Sequence, residues 1–246
     1  MSEQVILYDL PSRNEAGNRA WSPNTWKVRL VLNYKNVPYK TSWIEYPDIE
    51  PTFSSFGLLP NTASTGDIPY TVPVVKHSTA GYFMESFAIV KKLEELYPEP
   101  SLHLDNGYYD KAYAALQEFA LKTMPELIHR LPTGILNDES IEYFQRTRKE
   151  WFGMSLAELS KSDKAGENAW IDAEPALQAM RALLMENSSG PYIAGEQVCY
   201  ADFVIAGGYE LFDVVHNEWF KRWIAYDECF QKHYEACYKW MTRNTF

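Results

Sequence analysis

The sequence predicts a small α/β unit built on a four-stranded sheet, followed by an all-helical half. Three observations carry that reading. Short strand-like runs alternate with helical runs through residues 5–97. Beyond Asn106-Gly107 the apolar residues recur only at helical spacing, with no period-two alternation. Between the two, Pro98-Glu99-Pro100 and the polar residues after it read as a linker. The expected organisation is 1–98 for the α/β part, 99–107 for the linker and 108–246 for the helical part.

Each element has its own local reason. Val5-Ile6-Leu7-Tyr8 is a buried-strand pattern, ended by Asp9-Leu10-Pro11 and a polar loop through Asn18. Ser22-Pro23-Asn24-Thr25 reads as a helix start, with Ser at the cap and Pro at the first helical position. That helix carries Trp26, Leu30, Val31 and Tyr34 and stops at Asn36-Val37-Pro38. Residues 39–46 read as a second strand, and residues 47–70, rich in Pro, Ser, Thr and Gly, as a long irregular stretch. An excursion of that length is expected to be functional or to form an interface. Residues 70–76 and Tyr82-Phe83-Met84-Glu85 flank a turn and read as a hairpin. Ser86 then caps a helix with Phe87, Ile89, Val90, Leu93, Leu96 and Tyr97 on its apolar face. In the second half, residues 109–129, 141–160, 168–186, 201–215 and 226–241 read as helices.

Composition narrows the function classes. The 246 residues are 46% hydrophobic and 23% charged, an ordinary globular mixture with enough apolar surface for a packed core. The net charge of −10, with no dense Lys/Arg run, argues against nucleic acid and anionic membrane surfaces as partners. No apolar run is long enough to span a bilayer, and Met1-Ser2-Glu3-Gln4 lacks the basic start of a leader. Three late cysteines, Cys199, Cys229 and Cys237, suit a reducing cytoplasm better than a disulfide framework. Aromatic residues reach 15%, which serves packing first and flat ligands second.

Two helix N-termini are signalled, at Ser22-Pro23-Asn24 and at Glu85-Ser86, and each offers unpaired N–H groups and a partial positive charge. Between them stands Val72-Pro73, a proline in a strand-like run, which implies a cis bond or a sheet edge. Two anion sites and one exposed backbone edge together make a receptor for a short, extended, zwitterionic peptide.

This constellation resembles the glutathione transferases over essentially the whole chain. The resemblance implies a thioredoxin-like first domain, in the order β-α-β-α-β-β-α, and an all-helical second domain that forms the second-substrate pocket. Tyr200-Ala201-Asp202, following Tyr192-Ile193-Ala194-Gly195, resembles the family's capped helix, with Cys199 in place of the usual Ser or Thr. Tyr8-Asp9-Leu10-Pro11, the run Trp21-Ser22-Pro23-Asn24-Thr25-Trp26-Lys27-Val28-Arg29 and Glu45-Tyr46-Pro47-Asp48-Ile49-Glu50-Pro51 are similar to the bacterial β-etherase group. They are closer still to its fungal relatives, the FuA class.

What the resemblance implies can be put residue by residue. Ser22 would donate to the glutathione sulfur, with Asn24 assisting and Tyr8 as a rival donor; a plain helix cap is the competing role for Ser22. Val72, before Pro73, would pair with the cysteinyl backbone, Glu85 with the γ-glutamyl ammonium and Ser86 with the γ-glutamyl carboxylate. Lys40 is the candidate cation for the glycine carboxylate, with a surface lysine as the competing reading. Trp21, Tyr108, Tyr109 and Trp151 are expected around the second substrate by position alone. The implied activity is conjugation of electrophiles, ether cleavage or peroxide reduction, with binding of aromatic or phenolic small molecules. The alternative is a non-catalytic binding protein on the same scaffold. A homodimer is expected, with residues 47–70 as a contact.

Other chemistry is disfavoured. Disulfide exchange requires a cysteine at the first helix N-terminus, where Ser22 stands. Cys229, His233 and Cys237 share a helical face, but they read as buried small side chains rather than a zinc site. His129 and His216 have no partner at ligand spacing. No metal is expected.

Overall fold

A computed structural model describes residues 5–13, 19–62 and 68–244. The expectation drawn from Met1–Gln4, and parts of the loops at 14–18 and 63–67, lie outside the described residues. Strand β1 (Val5–Asp9) is followed by α1 (Pro23–Tyr34), β2 (Tyr39–Trp43), a 3-10 turn (Tyr46–Asp48) and α2 (Ile49–Ser55). Strands β3 (Val74–His77) and β4 (Gly81–Met84) lead into α3 (Ser86–Leu96). The sheet runs in the order β2-β1-β3-β4, with β1 parallel to β2 and the other pairs antiparallel. Val5, Leu7, Val74 and Val75 of the sheet are fully buried, as are Trp26, Val28, Leu30, Val31 and Leu32 of α1. The order β-α-β-α-β-β-α therefore holds, with α2 occupying the first part of the run 47–70 that reads as irregular.

The helical domain begins with α4 (Tyr108–Leu127), which passes through a 3-10 turn (Ile128–Arg130) into α5 (Leu131–Gly134). It continues with α6 (Asp138–Phe152), α7 (Leu156–Leu159), α8 (Glu167–Met185), α9 (Tyr200–Val215), α10 (Asn217–Ile224) and α11 (Glu228–Tyr238). The single helix expected over 141–160 is two. Gly153 takes φ 68° as a left-handed cap, and Ser155 opens α7 with a capping box to Glu158. A short α10 also precedes α11, in the stretch between residues 215 and 226 where the sequence predicts no helix.

Helix α9 is buried almost throughout and joins the two domains. A Cβ on Gly207 would stand 2.9 Å from the Pro23 carbonyl oxygen, so the absence of a side chain lets α9 press against the start of α1. At the head of α9, Asp202 accepts from the Cys199 and Ile193 amides at 2.7 and 2.8 Å, and His233 Nε2 lies 3.1 Å away. Asp202 thus carries the cap that a hydroxyl at position 199 would share. The stretch between α3 and α4 is packed rather than loose: Leu102 is fully buried, and Lys35 Nζ donates to the Tyr97 and Pro100 carbonyls. Among the described residues no helix is long and apolar enough to cross a membrane.

Candidate functional site

The site is built where α1 begins. Ser22 precedes Pro23 in extended conformation, and its side chain makes no cap hydrogen bond among the described residues. This differs from the plain capping serine. Pro23 has no N–H to offer at the first helical position, so one of the orphan donors is absent. Ser22 is 6% exposed, and it lines a cavity of about 310 Å³ between the two domains.

That cavity has a floor and a roof. Leu10, Asn24 and Val72 line it with Ser22, along with Thr71 and Ile49; Tyr143, Thr147, Arg148 and Trp151 of α6 close it from above. The Val72-Pro73 bond is cis, and β3 starts only at Val74, so Val72 stands outside the strand ladder. Asn24 is exposed, and its Oδ1 accepts from Lys27 Nζ at 2.8 Å. That geometry turns the amide Nδ2 away from Lys27. Burial pulls the Lys27 ammonium down to about 8, against the opposing pull of Glu85.

Glu85 caps α3 at φ 73°, a strained position for a residue with a side chain. Its Oε1 accepts from Thr71 Oγ1 at 2.9 Å and from Asn61 Nδ2 at 3.0 Å, which ties it to the cavity wall through Thr71. Ser86 opens α3, and its side chain lies beside the buried Tyr200 phenol.

The structure does not bring every expected residue to this cavity. Trp151 lines it and is 52% exposed. Trp21 instead is buried with its indole N–H donating to the Pro11 carbonyl at 3.1 Å. Tyr109 stacks on Phe87 with ring centres 3.9 Å apart and on Tyr200 at 5.4 Å, in the contact between domains. Tyr108 sits at the first residue of α4 beneath Lys111. Lys40 points from the exposed edge strand β2 and is absent from the lining. Tyr8 packs on Phe53 and Phe56. Ring contacts hold Tyr8 and Tyr109, and the hydrogen bond to Pro11 holds Trp21, away from the lining. The sequence reading missed Tyr46, Tyr143 and Arg148; the spacing of Arg148 and Trp151 at i, i+3 on one helix was the available signal.

The cysteines stay apart. Burial raises Cys199 and Cys229 to about 12 and holds Cys237 well above its usual range, so each is kept as a neutral thiol. His233 bridges Tyr209 and Asp202 through its two ring nitrogens, and Cys237 Sγ lies 3.7 Å from it. Among the described residues no group of three His, Cys, Asp or Glu side chains is placed to hold a metal ion.

Residues 21–96 match the family model for the glutathione S-transferase N-terminal domain, and residues 110–240 the model for its C-terminal domain. The chain is 35% identical over 215 residues to the glutathione S-transferase-like protein ustS of Aspergillus flavus, covering 81% of this chain and 76% of that one. The crystal structure of glutathione transferase GSTFuA3 from Phanerochaete chrysosporium superposes with a TM-score of 0.83 at 30% identity, over 98% of each chain. A glutathione S-transferase of Ceriporiopsis subvermispora, solved in complex with glutathione, gives 0.80 at 29% identity, over 96% of this chain and 97% of that one.

Proposed function

The chain belongs to the glutathione S-transferase family, whose co-substrate is glutathione, and on that premise we propose that Ser22 activates the glutathione thiol for attack on a flat electrophile. The observation that carries this reading is the uncommitted Ser22 hydroxyl at the head of α1, on the same lining as Val72.

A free thiol ionises near pH 8.5, and donors aimed at the sulfur from a helix N-terminus lower that value. In this reading the Ser22 hydroxyl and the Asn24 Nδ2 both donate to the sulfur. The partial positive charge at the head of α1 favours the same anion. Val72, before the cis Pro73, pairs with the cysteinyl amide. Glu85 faces the γ-glutamyl ammonium, and Ser86 with the α3 amides faces the γ-glutamyl carboxylate.

The reaction then balances simply. The thiol proton leaves to solvent, the sulfur forms a bond to the electrophilic carbon, and the leaving group departs with its electron pair. In ether cleavage that leaving group is an aryloxide. With a hydroperoxide the sulfur attacks the O–O bond, and a second glutathione completes the disulfide. A homodimer belongs to the same reading, and the exposed Leu59 supports residues 47–70 as its contact.

Calorimetry tests the core of it. Titration of glutathione and an S-alkylated glutathione into the protein should give saturable heat; no heat with either one overturns the assignment. Turnover of an aryl halide, isothiocyanate or hydroperoxide separates catalysis from storage. Tight binding of phenolics without any turnover would establish the non-catalytic alternative instead.

A further inference from the structure

Arg148 carries the only positive charge among the described lining residues of the cavity. It is 9% exposed, and its guanidinium carbon lies 4.0 Å from the centre of the Trp151 ring, 4.2 Å from Phe144 and 5.2 Å from Tyr46. Nη1 donates to Thr147 Oγ1 at 2.9 Å, whereas Nε has no acceptor and no carboxylate pairs with the group among the described residues. Other arginines of this chain do find acids: Arg29 pairs with Asp9, Arg19 with Asp213 and Arg222 with Glu167. Glu50 lines the same cavity yet makes no ion pair with Arg148 among the described residues.

Desolvating a cation without an anion is unfavourable, so such a group is retained where a ligand supplies the charge. The Tyr46 phenol facing it does not supply that charge. Tyr46 is pushed up to about 12 by burial and stays protonated at neutral pH. Around the cation lies a flat apolar shelf: Tyr143 stacks on Tyr46 at 6.4 Å, and Trp151 offers an exposed face.

We infer that Arg148 is the anion receptor for the second substrate, and that the substrate class is a flat aromatic acid. Its ring lies on the Trp151 and Tyr143 shelf, and its carboxylate accepts from the Arg148 guanidinium. Glutathione carries no ring to lie on the shelf, whereas an aromatic acid uses both the shelf and the guanidinium. The inference rests on the transferase reading of this cavity.

The test compares naphthalene-2-carboxylate with naphthalene-2-carboxamide by calorimetry, with and without saturating glutathione. Wild-type protein should bind the acid about tenfold or more tightly than the amide, the size expected for a charge-assisted pair. Arg148→Met should bring the two affinities together, and Arg148→Lys should restore part of the preference. Equal affinities in the wild type, or a preference that survives Arg148→Met, overturns the inference. Loss of glutathione affinity in Arg148→Met with the acid preference intact assigns the cation to the tripeptide and overturns it as well. If glutathione binds no form of the protein while the acid preference still depends on Arg148, the transferase reading fails and the anion receptor stands.

Discussion

Asp9 at the end of β1 and Arg29 in α1 form a fully buried ion pair, Oδ2 to Nη2 at 2.9 Å. The Leu10 amide also donates to Asp9 at 2.8 Å, and Arg29 reaches Thr41 on β2 at 3.1 Å. The pair therefore locks the first helix onto the strand that precedes the site, and so fixes where Ser22 stands. Removing one partner leaves an uncompensated buried charge. Arg29→Met should cost roughly 3–5 kcal/mol of stability. Urea unfolding checks this, and the double variant D9N/R29M should recover part of the loss.

Ser22→Ala separates a sulfur donor from a cap. Because the hydroxyl makes no cap bond, its removal should change stability by no more than about 0.5 kcal/mol. The pKa of bound glutathione, followed by thiolate absorbance against pH, should rise. Turnover at neutral pH should fall by about 10²-fold or more, the scale of losing one donor to a developing anion. An unchanged thiol pKa would remove Ser22 from the chemistry.

Glu85→Gln keeps the shape of the side chain and its bonds to Thr71 and Asn61 within reach, but deletes the charge. Glutathione affinity should drop about tenfold, as expected for a lost charge-assisted bond. S-alkylated glutathione should lose by the same factor, since the γ-glutamyl end is common to both. A drop confined to one of the two ligands would contradict this placement.

Glu210 links stability to pH. Burial raises its carboxyl from 4.5 to about 7, with Arg19 opposing, because Arg19 sits 2.6 Å from Asp213 and only 3.5 Å from Glu210. The folded pKa lies above the unfolded one, so the folded state binds the extra proton between these values. The contribution is complete below about pH 4.5 and is lost as pH rises through about 7. Glu210→Gln should flatten the stability profile across that window, measured by urea midpoints at several pH values.

Much of the frame was legible because its signals are local. Ser22-Pro23 marks a helix start by cap chemistry, and Val72-Pro73 marks an interruption of strand pairing. Helix α2 escaped because its seven residues include Pro51, Thr52, Ser54 and Ser55, which favour turns over helices. The break at Gly153 was hidden because Trp151, Phe152 and Leu156 continue a helical apolar spacing across it. The cavity roof was illegible for a different reason. Tyr46 and Tyr143 stack across nearly a hundred positions of chain, and no local period encodes such a meeting. Tyr108 and Tyr109 read as pocket residues by position alone, yet Phe87 and Tyr200 supply Tyr109 with stacking partners.

The roof is also fastened to the floor. Asn137 Nδ2 and Ser140 Oγ donate to the two oxygens of Glu45 at 2.8 and 2.5 Å, and the Tyr46 amide donates back to Ser140 Oγ at 3.0 Å. The residue that stacks beneath α6 is thus covalently next to the one that clamps it. Widening the slot would mean breaking those three bonds together, so its height behaves as a fixed gauge. On the proposed reading a planar guest should enter without disturbing the clamp, and a saturated ring of equal mass should bind more weakly.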